Sequence, residues 1–461
     1  MSTDLAAERL LSAADAGAGD PERAARLVFQ AFVAMSRTAD GRQMLPLVAR
    51  VQRLHAADGS PAVELIYRTL AGVVATRARL ADGPHHLDAA VEIFDRNPFG
   101  ADPLLVECAL LSVLTRMRPH EARRLAPLVD ALDLEPRDRA RMLGMIGLGD
   151  AWAGNLVRGQ AEMLEAAQLA AMAGSLDVQA EVTSWLVKCE ALRGDLEASA
   201  AHLDEARVLA AQVGSTWVAR HIPECTAALA FSRGDFVAWA SLLELIVEMG
   251  IGTDSGLLAE FRWELATHHA LAGRRDVAAR LLDGSPDPPV DWPGGHAMPA
   301  WRAWILDPDA PAAMAALEAS LADLTQPTER LPTARISWLL GAHHARAGRR
   351  ADAIRLLEQA CSLYAQNGAG GMLALAAADL RAVDARPPAP PAVFAPTPGE
   401  AALTGAEVRV AVAIADGLSN REAAERLFVS VKTIEFHLGN IFRKLGVRNR
   451  TELAARRAQL G

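Results

Sequence analysis

Between residues 430 and 445 the chain reads SVKTIEFHLGNIFRKL, and its residue types divide between two faces of a helix. Ile434, Leu438, Ile441, Phe442 and Leu445 recur at the three- and four-residue spacing of a buried stripe. Lys432, Glu435, Phe436, Gly439 and Arg443 occupy the other side. A helix held by such a stripe can enter the major groove, its amino-terminal half meeting base edges and its flanks meeting phosphates. The chemistry this face could carry is therefore recognition of duplex nucleic acid. Glu435 could accept from cytosine N4, although a carboxylate beside phosphates more often only repels nonspecific DNA.

Other residues invite chemistry and read better as structure. His268-His269 and His343-His344 resemble metal pairs, but both precede a glycine by five and four residues, in THHALAGRR and AHHARAGRR, and so are repeat positions. Trp185, Trp263 and Trp338 lie nine, ten and ten residues before Gly194, Gly273 and Gly348, a regularity that reads as repeat core. Asp195 and Asp235 follow turn glycines, where a Gly-Asp step opens a helix by ordinary capping. Cys108, Cys189, Cys225 and Cys361 are far apart and have no metal-ligand partners at the right spacing, so they are expected to be buried free thiols. No GxxxxGK[ST] loop occurs, and Lys188, in SWLVKCE, is no phosphate-loop lysine. The reading is of a non-enzyme, with no catalytic residue, no cofactor and no metal.

The two-faced helix needs neighbours to hold it. Thr404 to Glu407 has the form of a capping box flanked by the apolar pair Leu403 and Val408. The first helix would then bury Val408, Ala411, Val412 and Ala415 and close at Gly417. Asn420 is read as the cap of a short second helix with Ala423, Ala424 and Leu427 inward. Ser430 caps the third, Gly446 stops it, and Asn449 to Glu452 caps a fourth. His437 reads as scaffold.

Upstream, one unit recurs: a small-residue helix, a glycine turn, then an amphipathic helix. The turn glycines Gly154, Gly194, Gly234, Gly273 and Gly348 are spaced by 40, 40, 39 and 75 residues. LDPDAP, Leu306 to Pro311, falls at the middle of the long interval and can turn without glycine, and Arg118-Pro119 offers a further turn before Gly154. A period near 40 with two helices per unit marks an alpha-solenoid, whose hairpins bury their apolar faces by stacking on one another. Within one unit Ala200, Leu203, Ala206, Leu209 and Ala210 share a face, and Gly214 ends the helix. Six prolines in residues 387–398 exclude helix there and make an extended strut.

Charge follows the same division. Residues 401–461 carry a net +4 and residues 1–400 a net −13, so an acidic body bears a basic head. The chain has 461 residues, 51% of them hydrophobic, with no apolar run long enough to span a bilayer and no signal pattern at MSTDLAAERL. The expected location is the cytoplasm, with nucleoid association and no membrane contact.

Through GLSN, SVKTIEFHLGNIFRKLGV and NRTELA, residues 401–461 resemble the LuxR-type DNA-binding domain. The resemblance implies that Glu435, Phe436 and Gly439 face bases. Lys432, Thr433, Arg443 and Lys444 would meet the DNA backbone, with Ser430 at the helix start. It also implies homodimerisation through the fourth helix, around Leu453 and Ala454. Ala423 stands where the family usually has Ile or Val, and Glu435 where it often has Lys. The layout is similar to the carboxy-terminal half of the large, MalT-like LuxR regulators. The chain is thus read as all-α: an alpha-solenoid of tetratricopeptide-like hairpins (residues 1–384), a Pro-rich linker (385–400) and a small four-helix LuxR-type helix-turn-helix domain (401–461). What the resemblance implies is a transcription regulator, an activator by expectation. It would bind double-stranded DNA at a two-fold operator, contact RNA polymerase, and receive a protein or small-molecule effector at its repeats. The other reading is a protein-interaction scaffold whose terminal domain serves in dimerisation or polymerase contact.

Overall fold

The computed structural model describes residues 3–17, 19–97, 99, 102–250, 255–283, 293–383, 405–427, 431, 434, 438, 441, 442, 445, 447, 449–455 and 457. The chain divides into two compact units, Met1–Pro388 and Ala389–Gly461. The expected linker, 385–400, lies outside the described residues. Among the described residues there is no strand, and no helix is long and apolar enough to cross a membrane.

The first unit opens with α1 (Thr3–Ala16), α2 (Pro21–Met35) and α3 (Leu45–Asp58) and continues as hairpins. These are α4 (Pro61–Ala78) with α5 (Gly83–Arg96), α6 (Pro103–Thr115) with α7 (Pro119–Ala131), and α8 (Pro136–Trp152) with α9 (Leu156–Met172). Then come α10 (Leu176–Arg193) with α11 (Leu196–Val213), α12 (Thr216–Ser232) with α13 (Phe236–Met249), and α14 (Ser255–Leu271) with α15 (Arg275–Leu282). The last two are α16 (Met298–Leu306) with α17 (Pro311–Ser320) and α18 (Arg330–Arg346) with α19 (Arg350–Gln366), followed by a lone α20 (Gly370–Ala382). Proline at the first or second helical position starts many of them, where its missing N–H is no loss.

All five turn glycines have positive φ, and α16 turns into α17 without glycine through residues 307–310, as LDPDAP suggests. The same left-handed corner recurs upstream at Met117 (φ 60°), 37 residues before Gly154, and at Arg79 (φ 61°), a further 38 residues before it. Ser199, Leu203, Ala206, Leu209 and Ala210 form the buried face of α11, and Ala200 is half-buried. Asp235 caps α13 by accepting from Ala238 N–H at 3.0 Å. Asp195 instead accepts from Arg193 and Gln160 side chains at 3.1 and 3.3 Å. The histidine pairs are absorbed into the packing. His269 Nδ1 lies 2.7 Å from Arg274 Nε, His344 Nε2 lies 2.6 Å from Glu318, and His268 and His343 stack edge-on against Trp239 and Trp304. All four cysteines are buried free thiols, and burial pushes Cys189 and Cys225 up to about 12.

Contacts between distant repeats bend the array around on itself. The turn after α2 meets the start of α12, where Thr216 Oγ1 donates to Arg37 O and Thr38 O at 3.1 and 3.0 Å. Arg37 also pairs with Asp177 of α10, and Arg79 donates to Gly250 O at 2.8 Å. From the other end, α18–α20 join the core of α8–α10, with Trp338, Leu357 and Leu380 packed in one cluster with Leu148, Met163 and Leu186. The start of α20 fits against the end of α10 because neither side has bulk. A Cβ on Gly371 would lie 2.5 Å from Ala191 O, and one on Gly194 would lie 2.9 Å from Gly371 N. Trp338 Nε1 donates to Asp379 at 2.7 Å, tying α18 to α20.

One buried charge cluster sets a pH dependence. Asp150 of α8 and Glu162 of α9 share Arg123 of α7, and only 2% of the Asp150 side chain and 10% of the Glu162 side chain is exposed. Burial, then the neighbouring Asp150 charge, pushes Glu162 up to about 7. The folded state therefore holds a proton that the unfolded chain releases, so this group's stabilisation is present at low pH and is lost as pH rises between the ordinary carboxyl range and about 7.

Two outcomes are expected. Gly371→Ala gains helix propensity yet should lower stability by about 1–3 kcal/mol through overpacking against Ala191. Gly214→Ala, at φ +65° with nothing near its Cβ, should show only the cost of a left-handed alanine, about 1–2 kcal/mol. Urea unfolding of both variants checks this, and a stabilised Gly371→Ala would mean that the close approach does not constrain the fold. Glu162→Gln should flatten the fall in unfolding free energy expected of the parent between about pH 5 and 7. An unchanged slope would remove Glu162 as its source.

Candidate nucleic-acid interface

In the second unit, α21 (Gly405–Ala415) and α22 (Asn420–Leu427) precede the two-faced segment, and a terminal helix, Arg450–Ala455, follows it. The first helix closes as its glycine requires. Gly417 has φ +95°, its N–H donates to Ile414 O at 3.0 Å, and Leu418 N–H reaches back to Ala413 O at 3.2 Å. Paired bonds of this kind satisfy the carbonyls that a helix end leaves open.

The core is shared by all the elements. Val410, Ala411, Ala413 and Ile414 of α21 pack with Ala423 and Ala424 of α22 and with Ile434, Leu438, Ile441, Val447 and Leu453. Ile434, Leu438 and Ile441 form the expected buried stripe, with Phe442 and Leu445 half-buried beside it. Ala423, where the family has a larger residue, is fully buried. The α21 register differs from the sequence reading. Ala411 is buried as expected, but Val412 and Ala415 are only half-buried, because α21 packs against both α22 and the terminal helix and turns Val410, Ala413 and Ile414 inward. Leu403, Thr404 and the Val408 side chain lie outside the described residues.

The cap of α22 also sits one residue earlier than expected. Ser419 Oγ accepts from Glu422 N–H at 3.3 Å while Ser419 N–H donates to Glu422 Oε2 at 2.8 Å, a reciprocal capping box. These bonds hold the Glu422 carboxyl below its usual range. Asn420 is thereby released for another task and accepts from Arg450 at 2.8 Å, which fixes the terminal helix to α22. Asn449 does cap that helix, accepting from Glu452 N–H at 2.9 Å, and Arg457 meets Asp416 at 2.6 Å.

Ser430, Lys432, Thr433, Glu435, Phe436, Gly439, Arg443 and Lys444, the residues assigned to DNA, lie outside the described residues, as does His437. Of the two positions assigned to dimerisation, Leu453 is buried in the unit's own core and Ala454 is exposed.

Residues 401–456 match the family described as bacterial regulatory proteins, luxR family. The carboxy-terminal unit therefore carries a LuxR-type helix-turn-helix domain. The transcriptional regulatory protein LiaR of Bacillus subtilis is 42% identical over 52 residues, 11% of this chain and 25% of that protein. The oxygen regulatory protein NreC of Staphylococcus aureus is 47% identical over 51 residues, 11% of this chain and 24% of that protein. An HTH-type transcriptional regulator of Mycobacterium bovis is 39% identical over 66 residues, 14% of this chain and 8% of its own length. The chain thus spans a quarter or less of these curated relatives. A crystal structure of a Rap protein complexed with competence and sporulation factor superposes with a TM-score of 0.49 at 8% identity, over 79% of this chain and 98% of that one.

The cap geometry gives a direct expectation. Asn449→Ala removes the acceptor for Glu452 N–H and should cost about 1 kcal/mol locally. Amide exchange at Leu453 in the full chain should then accelerate several-fold, whereas unchanged exchange would show that the cap does not hold the terminal helix.

Proposed function

We propose that the protein is a sequence-specific DNA-binding transcription regulator, acting as an activator, whose repeat unit receives a signal. The observation that carries this reading is the match of residues 401–456 to the luxR family on a segment whose apolar stripe, Ile434, Leu438 and Ile441, is buried in the unit's own core. A helix anchored by that stripe can give its other positions to the major groove. On this reading Glu435, Phe436 and Gly439 face bases, and Ser430, Lys432, Thr433, Arg443 and Lys444 meet the backbone. The net +4 of residues 401–461 favours phosphate contact. Dimerisation falls to the exposed side of the terminal helix at Ala454, with Leu453 supporting it from beneath, and the operator is an inverted repeat. The repeat unit takes a protein or small-molecule effector, and RNA polymerase is a further partner.

Selection from a random DNA pool with the full-length protein should recover one inverted repeat. Affinity for it should fall by ~10³-fold between about 50 and 200 mM salt, as phosphate-dominated binding requires. Lys432→Ala should weaken all sequences alike, whereas Glu435→Gln should change preference at a single position if the carboxylate reads a cytosine. No enrichment of any sequence, even at low salt, would favour the scaffold reading instead.

A further inference from the structure

The curled repeat unit holds a half-open cavity of about 540 Å³, within the ~300–1,000 Å³ range of small-molecule sites. Its wall comes mainly from the first helix of successive hairpins, from Arg77 of α4 round to Arg335 of α18, and Met372 of α20 closes the circuit. Among the described residues six tryptophans line it: Trp152, Trp185, Trp217, Trp239, Trp263 and Trp301. Phe231, Phe261 and Tyr364 add to the same surface. Trp185 and Trp263, read from the sequence as repeat core, thus also face this space. Trp185 and Trp217 meet edge to face at 6.3 Å, and Trp263 and Trp301 at 6.2 Å. In an edge-to-face pair the edge-on ring keeps its faces clear of its partner, and such a face can stack a planar guest.

The wall sets four basic residues, Arg77, Arg141, Lys188 and Arg335, beside four acidic ones, Glu181, Glu224, Glu260 and Glu264; burial raises the Glu181 carboxyl and holds His221 below its usual value and hence neutral. Arg335 lies 2.5 Å from Glu264 and is stacked on Phe231 and Trp338. Lys188 lies 3.8 Å from Glu224, and Arg141 lies 3.0 Å from Glu107. A charged guest that met one of these three pairs would have to displace a partner and leave that partner's buried charge uncompensated. Among the described residues the wall contains no Asn and no Gln. An extended peptide brings a donor and an acceptor with every residue and needs such groups to meet them.

Resting on the reading that the repeat unit receives a signal, we infer that this cavity binds a neutral, flat, predominantly apolar small molecule between its tryptophans, and not a peptide. N-phenyl-1-naphthylamine is a suitable neutral probe, added to the full-length protein without DNA. It should bind saturably at one per chain and quench tryptophan emission by energy transfer. Its anilinonaphthalene sulfonate relative should bind at least about tenfold more weakly, a difference of about 1.4 kcal/mol, since its fixed charge would compete with carboxylates already paired to the cations of the wall. Ala228→Phe and, separately, Ser232→Leu narrow the cavity and should each weaken the neutral probe by a similar factor. Val237→Ser removes an apolar side chain that is 80% exposed and should leave binding unchanged. Circular dichroism identifies any variant that fails to fold, and the other filling variant then decides. The inference is overturned by any of four results: absence of saturable binding, equal affinity for the sulfonate, insensitivity of a folded filling variant, or displacement of the probe by a capped apolar pentapeptide. None of these readouts involves DNA, so their failure leaves the operator reading standing, and failure of operator selection leaves the cavity result standing.

Discussion

Within the repeat unit, the inner space exists because two stretches of backbone come closer than side chains allow. At the end of α10, Ala191 O, Leu192 O and Gly194 N face Gly371 of α20 at distances that a single Cβ would violate. Stacked hairpins alone make an open spiral, because each repeat need touch only its neighbours. Here the glycines of α20 let the last helix dock on a middle repeat, and Trp338 is held to it through Asp379. The aromatic side chains of α8, α10 and α12 then line the same space as those of α14, α16 and α19.

The second unit is built on a different economy of contacts. Its elements are short, and none could stay helical alone. The ends are therefore closed by specific hydrogen bonds: a paired-carbonyl stop at Gly417, a capping box at Ser419 and Glu422, and Asn449 below Glu452. Cross-links from Asn420 to Arg450 and from Asp416 to Arg457 fix the terminal helix to the first two. The shared core then orients the Ile434, Leu438, Ile441 stripe.

Local rules carried most of the sequence reading. Turn glycines revealed the hairpin period because a left-handed corner strongly prefers glycine, and LDPDAP revealed the one turn in that stretch made without it. The same preference hid the Arg79 corner, which has no sequence mark, whereas the corner at Met117 was marked by Arg118-Pro119, where α7 begins. Ser419 and Asn420 are both good caps, and only the position of Glu422 relative to Ser419 distinguishes them. Tryptophans at a fixed distance from turn glycines were legible as repeat positions. That six tryptophans share one cavity was not, since it depends on contacts between residues about 180 positions apart, such as Thr216 with Arg37.

Those long-range contacts change how the repeat unit folds. An open solenoid has stability that adds up from neighbour to neighbour, can begin to form at any repeat and can fray from either end. A closed one must pay the entropy of bringing distant segments together, and it gains the seam only when both sides exist. The middle hairpins α8–α12 serve both the amino-terminal turn after α2 and the carboxy-terminal α18–α20, so they form a hub that both flanks require. As the chain is synthesised the hub emerges before α20, and α20 is the keystone: until it docks, the seam at Gly371 and the side of the wall at Met372 are unmade. A unit of this kind melts as one cooperative body where a linear array would lose its ends first.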